Sequence, residues 1–586
     1  MKKMKNSITK TALILALIII SGCEDVLDRK PIDKISEEDV WQKESLIQGY
    51  ILELYNRFPH FDFDRLYHYS DEGTGSSGNS NAVTQGTLSR SNVLSDIEYW
   101  DYSYIRSVNL FLEKIQGTPL SQELRNQLEG EATVMRAVAY FELAKRYGGV
   151  PLVTSVINPY LEISDELKSR VPEEAIYDFV DTELTRAAEL LSLTTATVPT
   201  ARTNKWSALA FQARSNLWAA SIAKFGTVEL NGLVGVPAGR ANEFYTKASN
   251  AAELVLSSGK YSLYDENSDK AKNYQNIFLD EGNSEIIFAM EYNGVEVKHD
   301  FDHWIAPARF ASGQGARCNP LLELILQYEN IDGTEEDYTQ YFNENHLFAD
   351  GMDIFKRKDP RLFGTVLFQG SWFVNDNIKT YEGIDTGVVA NRAKIINNPS
   401  LYYQGVTQVG VDSRLVVGDD KTTNSGFLLR KFMDEPSLPL PVGESKVDWP
   451  TLRLAEVYLT KAEADFQLGS LADAVTAFNK TRERAGISLV DETTISMKKI
   501  QTEWMAEFAF ENKRFWDLRR WRIAQGALNH QFNGLRTIWH KHSNRYYFLP
   551  LLAEPFNRVF RPEHYYNPIS VSRINNNPLL VQNPLY

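Results

Sequence analysis

The pattern of apolar positions predicts helices towards both ends of the chain and little regular structure between them. From Gly130 to Tyr147, Val134, Ala137, Val138, Phe141 and Ala144 recur at helical spacing, and Gly148, Gly149 and Pro151 end the run. Trp206, Ala210, Ala213, Leu217 and Ala220 lie on one stripe of a second helix over 203–225, and 242–257 reads as its partner. A shorter helix is predicted from Tyr104 to Ile115. Further on, Ala455, Tyr458, Leu459, Ala462 and Phe466 form one face, Gly469 interrupts, and Leu471, Ala474, Val475 and Phe478 form the next.

Two amphipathic helices joined by a tight turn, with alanines at the contact positions, read as a tetratricopeptide-like hairpin. Stacked pairs of this kind make a curved scaffold that holds other segments in place. Those segments are residues 67–104 and the long middle from about 270 to 445, where short strand-like runs such as EIIFA (285–289) lie among Gly, Asn and Asp. Loops of this length inside one compact domain are either functional or wrongly assigned. The helical scaffold is expected mainly over 36–260 and 449–525. No Pro/Ser-rich linker divides the chain, so residues 23–586 read as a single domain.

Lys2, Lys3, Lys5 and Lys10 precede an uncharged apolar run over 11–20, which closes in Ser21, Gly22 and Cys23. This is the outline of a secretory signal peptide, and it is shorter than the ~20 residues that a membrane-spanning helix needs. Ile20-Ser21-Gly22-Cys23 resembles a bacterial lipobox, which makes 1–22 the signal peptide and Cys23 the lipidation site. Acyl chains on Cys23 would tether the body of the protein to a membrane. The other cysteine is Cys318, so the chain can form neither a disulfide framework nor a cysteine-based metal site.

The chain carries 62 Lys+Arg against 76 Asp+Glu, a formal net charge of -14, with no long basic block, which argues against nucleic acid as a ligand. Its 28 Tyr, 30 Phe and 11 Trp change the picture more, because a surplus of rings suits a surface that grips ligands by their flat faces.

Four stretches together resemble one family: GEATVMRAVAYFELAKRYGGVPLV (130–153), KDPRLFGTVLF (358–368), WPTLRLAEVYLTKAEADFQLG (449–469) and EFAFENKRFWDLRRW (507–521). They are similar to the SusD/RagB family of surface glycan-binding lipoproteins, as is the closing QNPLY. Trp504 departs from the family's more usual arginine at a scaffold position. The resemblance implies a mainly α fold in which about four tetratricopeptide-like units support a loop-rich face with short strands. It also implies a non-catalytic protein at the outer membrane, lipid-anchored and facing the cell exterior, that delivers glycan to a SusC-like TonB-dependent transporter.

Candidate chemistry is sparse. Glu507 and Glu511 lie one helical turn apart, but Lys513, Arg514, Arg519 and Arg520 follow, so the pair reads as structural ion pairing rather than a glycosidase acid pair. There is no G-x-S-x-G or H-E-x-x-H motif, His540 and His542 lack a third ligand, and NIDGTEEDY (330–338) lacks calcium-loop spacing. Neither a metal nor a cofactor is expected. Binding is better supported, because sugars need an exposed ring for stacking and Asp, Asn, Gln or Arg for their hydroxyls. Two regions combine these: Tyr69, Asp71, Glu72 and Asn81 with Trp100, and Tyr292 with Trp304 and Arg309. Trp372 and Tyr403 are weaker candidates. Peptide or another nutrient is the alternative ligand, and a glycan-degrading enzyme the alternative activity.

Overall fold

In a computed structural model the described residues are 37–586 apart from 60, 64–65, 77–79, 159, 161, 195–197, 389–393 and 417–420, so the expected signal peptide and Cys23 lie outside them. The long helices are α1 (Glu44–Asn56), α2 (Tyr102–Lys114), α3 (Gln122–Tyr147), α4 (Glu173–Ser192), α5 (Lys205–Phe225), α6 (Ala241–Leu256), α7 (Leu454–Leu468) and α8 (Leu471–Ala485). From α2 to α8 each packs on the next, and α1 leans on α2 and α3. Taken in pairs they make four units, with α1/α2 the loosest. The ends are locally encoded. Ser121 Oγ accepts from Leu124 N–H to start α3, and Asn204 and Ser207 form a reciprocal capping box at the start of α5. Gly469, in the left-handed conformation at φ 83°, ends α7 and turns the chain into α8.

The stack is continuous in space but not in sequence. α6 packs on α7, although residues 257–453 separate them. The intervening chain leaves after α6, forms β1 (Ile286–Met290), and returns through β2 (Trp449–Arg453), which pairs antiparallel with β1 and runs straight into α7. Leu454 N–H donates to Glu285 O (2.9 Å), which closes the gate through which the loop region enters and leaves. EIIFA was expected as a strand, and Ile286, Ile287, Phe288 and Ala289 are all buried within it. A second apolar core lies beneath the loops, built on Phe278, Phe432, Trp449 and their neighbours. A C-terminal hairpin, β3 (Asn533–His540) with β4 (Arg545–Leu552), was not among the predicted elements. It pairs at its tip with Ile384–Asp385 and braces the loop region from behind.

Scaffold and loop region meet at a buried charge network. Arg453, at the end of β2, donates to Glu511 through Nε (2.9 Å) and Nη2 (2.8 Å), to Glu285 (2.8 Å) and to Glu507. Arg361 binds Asp359 (2.7 Å), Glu503 (2.6 Å) and Glu507 (2.8 Å). Arg484 reaches Glu285 (2.9 Å) and Glu507, Arg482 reaches Glu503 (3.2 Å), and Lys431 reaches Glu511 (2.7 Å). Glu285, Asp359, Glu503, Glu507 and Glu511 thus meet five cations with their side chains almost wholly out of water. Burial alone would raise the Glu507 carboxyl; Arg484, Arg453 and Arg361 outweigh it and hold it well below the usual range.

Glu507 and Glu511 are structural, as the sequence suggested, but their partners are not the expected ones. Met497–Phe508 is α9 and Arg514–Arg520 is α10, and between them Phe510 and Asn512 adopt positive φ (62° and 57°), so the two helices do not share a face. Lys513 pairs instead with Glu456, Arg514 with Asp71 and Arg520 with Glu463, while Arg519 donates to Asn567. Trp504 is buried in α9 against Phe508 (5.0 Å between centroids), with the Arg520 guanidinium over its ring.

Removing one member of a buried network leaves uncompensated charge. Arg453→Met should therefore destabilise the fold by about 3–5 kcal/mol in denaturant unfolding. Arg453→Lys should recover only part of this, because an ammonium cannot make the bidentate contact to Glu511. A loss under 1 kcal/mol in Arg453→Met would show that the network is dispensable.

Candidate ligand-binding face

Tyr69, Asp71 and Glu72 of the first candidate region lie inside the protein. Residues 66–74 pass between the scaffold and the loop core, and their polar groups are used there. Tyr69 is buried, donates its hydroxyl to Asp96 (2.6 Å) and packs edge-on against Phe515. Asp71 is buried and takes a bidentate contact from Arg514 (2.8 and 2.7 Å) and a third from Gln327 (3.1 Å). Burial would raise its pKa, and Arg514 outweighs burial and lowers it. Glu72 is buried too, pushed up to about 7 by desolvation although Phe510 N–H (2.9 Å) and Ser70 hydroxyl (3.0 Å) donate to it. Arg558 satisfies the carbonyls of Ser70 (2.6 Å) and Gly73 (3.0 Å). Tyr69, Asp71 and Glu72 are therefore out of reach of a surface ligand. The Gly/Ser-rich sequence looked like a loop tip because charges that are paired across several hundred residues cannot be seen locally.

Asn81 is half-buried and caps a turn, its Oδ1 accepting from Val83 N–H (2.9 Å) and Thr84 N–H (3.2 Å). Trp100 is half-buried on the scaffold, edge-on to Tyr147 (4.9 Å) with Arg573 over its ring (5.1 Å). Its ring serves as an anchor for the C-terminal segment, apart from the second candidate region.

Tyr292 and Trp304 remain at the surface in different settings. Tyr292 is half-buried against His299 (4.7 Å) and lines a cleft of ≈ 860 Å³ between α1, β1 and the start of β2. Asp448 in this cleft is held at about 7 by burial and by the neighbouring Glu281 and Glu291. Trp304 is in the short helix Phe301–Ile305, donates its indole N–H to Asp300, and carries the Arg317 guanidinium over one face (4.0 Å). The same helix contains Asp302, a buried carboxyl raised by desolvation to about 7.

Arg309, just after this helix, is a tie rather than a free hand. It donates to Asp412 (2.8 Å), Asp376 (2.8 Å) and Asn377 O (2.6 Å), tying its own segment to the 376–377 strand and the turn at Asp412. Asp376 and Asn377 pair with Trp372–Phe373 in a two-residue hairpin. There Phe373 points in, against Phe310 (5.3 Å), and Trp372 points out, 58% exposed. The segment continues to Tyr381, whose hydroxyl donates to Thr407 O (3.1 Å) in a second hairpin, where Tyr402–Tyr403 pair with Val406–Thr407. Tyr402 is 71% exposed. Two projecting hairpins rooted on one segment thus expose Trp372, on the hairpin that Arg309 holds, and Tyr402, on the hairpin that Tyr381 holds. Tyr402 was not a sequence candidate and Trp372 a weak one. The signal was present in GSWFVND, where polar turn residues flank a two-residue strand, so that alternation sends one aromatic inward and the other outward.

The comparisons agree with this architecture. Residues 284–586 match the description "SusD family", and residues 25–217 match "Starch-binding associating with outer membrane". The chain belongs to the SusD family. SusD-like protein P38 of Formosa agariphila is 24% identical over 572 residues, covering 92% of this chain and 96% of its own. The starch-binding protein SusD of Bacteroides thetaiotaomicron is 33% identical over 141 residues, 24% of this chain and 22% of that one. Among solved structures, a SusD-like protein of Bacteroides fragilis superposes with a TM-score of 0.71 at 23% identity, covering 95% of this chain and 100% of that one. The charge network draws on three of the four stretches that carry the SusD resemblance: Arg361 comes from KDPRLF, Arg453 from WPTLRL, and Glu507 and Glu511 from EFAFE.

A raised carboxyl favours the fold at low pH. Asp302 ionises near 7 when folded and near 3.8 when free, so its share of stability is full below about pH 4 and is lost as pH rises through 7. Asp302→Asn should therefore lose less stability than the unsubstituted protein between pH 4 and 7.5, by at most on the order of 4 kcal/mol at about 1.4 kcal/mol per pKa unit. Urea unfolding across this range measures it, and parallel curves for the two proteins would refute the burial argument.

Proposed function

We propose that the protein binds oligosaccharide at the loop face, stacking sugar rings on Trp372 and Tyr402, with Trp304 as a third platform and Asp376 and Asn377, held by Arg309, offering hydrogen bonds. The observation that carries this reading is the pair of exposed aromatics on two short hairpins, the first rooted by Arg309 on Asp376 and Asn377 O and the second by Tyr381 on Thr407 O, because a rigid ring spends little entropy when it meets a ligand. Starch binding in the description matched by 25–217, and in the name of the Bacteroides relative, supports carbohydrate as the ligand class. That description also supports association with the outer membrane. On this reading Cys23 carries the acyl anchor, the loop face looks outward, and the bound glycan is passed to a TonB-dependent transporter.

Binding rather than bond cleavage fits the acids. Glu507 and Glu511 are interior and neutralised, whereas a general acid needs a raised pKa and access to substrate. Asp448 beside Glu291 is the open-cleft acid against which this reading must hold.

Trp372→Ala and Trp304→Ala should each weaken glycan binding in calorimetry by about 1–1.5 kcal/mol, close to tenfold, with melting unchanged. No reducing ends should appear when the protein is incubated with polysaccharide, before or after Asp448→Asn. Unchanged affinity in both tryptophan variants would remove the loop face as the site, and reducing ends lost in Asp448→Asn would make the protein a hydrolase.

Cys23→Ser should shift the protein from the membrane fraction to the soluble fraction or leave an unprocessed precursor, as read by fractionation and intact mass. A processed, membrane-bound Cys23→Ser protein would refute the lipid anchor.

A further inference from the structure

Away from the loop face, three cavities lie end to end across the helical scaffold. The first, ≈ 590 Å³, is walled by α4, α5 and α6, with Leu254 54% exposed within it. The second, ≈ 630 Å³, continues past Trp206 to Tyr261; the two share Ser192, Lys205 and Trp206 as lining. The second in turn shares Thr200 and Gly282 with the ≈ 860 Å³ cleft at Tyr292. Shared walls make one groove, and each of its compartments has the volume of a small-molecule site.

We infer that this groove is a second carbohydrate site, which takes several consecutive residues of an extended neutral polysaccharide and so adds to the loop-face site a preference for long chains; the inference rests on the glycan-binding reading above. Three features point to that ligand. Half-buried rings recur along the groove, Trp206, then Tyr261, then Tyr292, and between them polar side chains such as Asn204 and Asn283 lie among apolar ones such as Ile286 and Ile287, the mixed lining that a sugar's hydroxyls and C–H faces need. Trp206 is at the second position of α5, where the Asn204 capping box fixes the helix start. Its indole is therefore held by the scaffold and not by a loop. It read as part of a core stripe in the sequence because its i+4 and i+7 neighbours, Ala210 and Ala213, are buried, whereas one turn earlier the helix has reached the edge of the stack.

Charge and backbone narrow the class. Lys247 is paired with Asp181 (3.1 Å), Lys205 and Lys260 lie along the middle, and Glu291 and Asp448 stand at the Tyr292 end. Mixed signs of this kind give neither the basic track that a polyanion requires nor a uniformly acidic one. An extended peptide would seek unpaired backbone along β1, but Ala289 N–H already donates to Thr200 O (3.1 Å) where β1 borders the groove. Hydroxyl-rich rings need neither feature.

Affinity electrophoresis of the purified protein in gels containing soluble starch, laminarin or galactomannan, followed by calorimetry with the trisaccharide and the polymer of whichever is retained, tests the proposal. Trp206→Ala and Tyr261→Ala should weaken polymer binding at least fivefold and leave trisaccharide affinity within twofold, whereas Trp372→Ala should weaken both. Leu254→Glu, at an exposed helix position, should repeat the Trp206→Ala pattern, and keeps the test valid if the tryptophan variant melts early. Retention should be the same in 0.15 and 1 M NaCl, to within twofold. Polymer affinity unchanged in the groove variants, with trisaccharide binding still lost in Trp372→Ala, overturns the second site and leaves the loop-face reading standing. Strong salt dependence overturns the neutral-glycan assignment. Retention by none of the three polymers counts against both readings.

Discussion

The Arg453 guanidinium holds Glu285, Glu507 and Glu511, three carboxylates from two distant parts of the chain, in an interior that excludes water. Around it Arg361, Arg484, Arg482 and Lys431 complete a balanced set with Asp359 and Glu503. A network of this kind gains little net stability over an apolar core of equal volume, since desolvation consumes most of the Coulombic return. Its effect is on arrangement. Any packing that displaced β2, α9 or the KDPR turn would strand a charge at low dielectric, so these elements have essentially one way to fit together. The long insertion can leave the helix stack after α6 and return at α7 without loosening it, because the point of return is itself fixed by Arg453.

That constraint reaches the surface. With the scaffold and the second core locked together, the loop region is held from below by Phe310 on Phe373, from behind by the C-terminal hairpin, and laterally by Arg309 among Asp376, Asp412 and Asn377. Two-residue strands have little stability of their own. They project Trp372 and Tyr402 reproducibly because charge pairs and ring contacts fix their roots. The proposed groove draws on the scaffold at its Trp206 end, which α4, α5 and α6 wall.

The sequence was legible where periodicity and end signals are local. The helices over 130–147, 203–225, 242–257 and 454–485, the break at Gly469 and the strand at 285–289 all follow from spacing and turn chemistry. It was partly legible for Glu507 and Glu511, where a structural role was evident but the partners were not: positive φ at Phe510 and Asn512 turns the following cations away, and Arg361, Arg453 and Arg484 arrive from elsewhere. It misled at Tyr69, Asp71 and Glu72, since a Gly/Ser-rich stretch with tyrosines and acids has the composition of an exposed loop. What buries it is Arg514 and Arg558, more than 400 residues away.

By itself, then, the sequence determined that the scaffold is a stack of helix pairs, and in QNPLY, WPTLRL, KDPRLF and EFAFE it carried the mark of the SusD family. Those features are set by nearest neighbours along the chain and by short motifs. Only the tertiary structure decided that α6 meets α7 across residues 257–453, that the first aromatic loop is interior, and that Trp372 and Tyr402, on hairpins rooted by Arg309 and by Tyr381, stand exposed. Each of these depends on which charge finds which partner at long range, and a hydrophobic pattern holds no information about pairings between segments hundreds of residues apart.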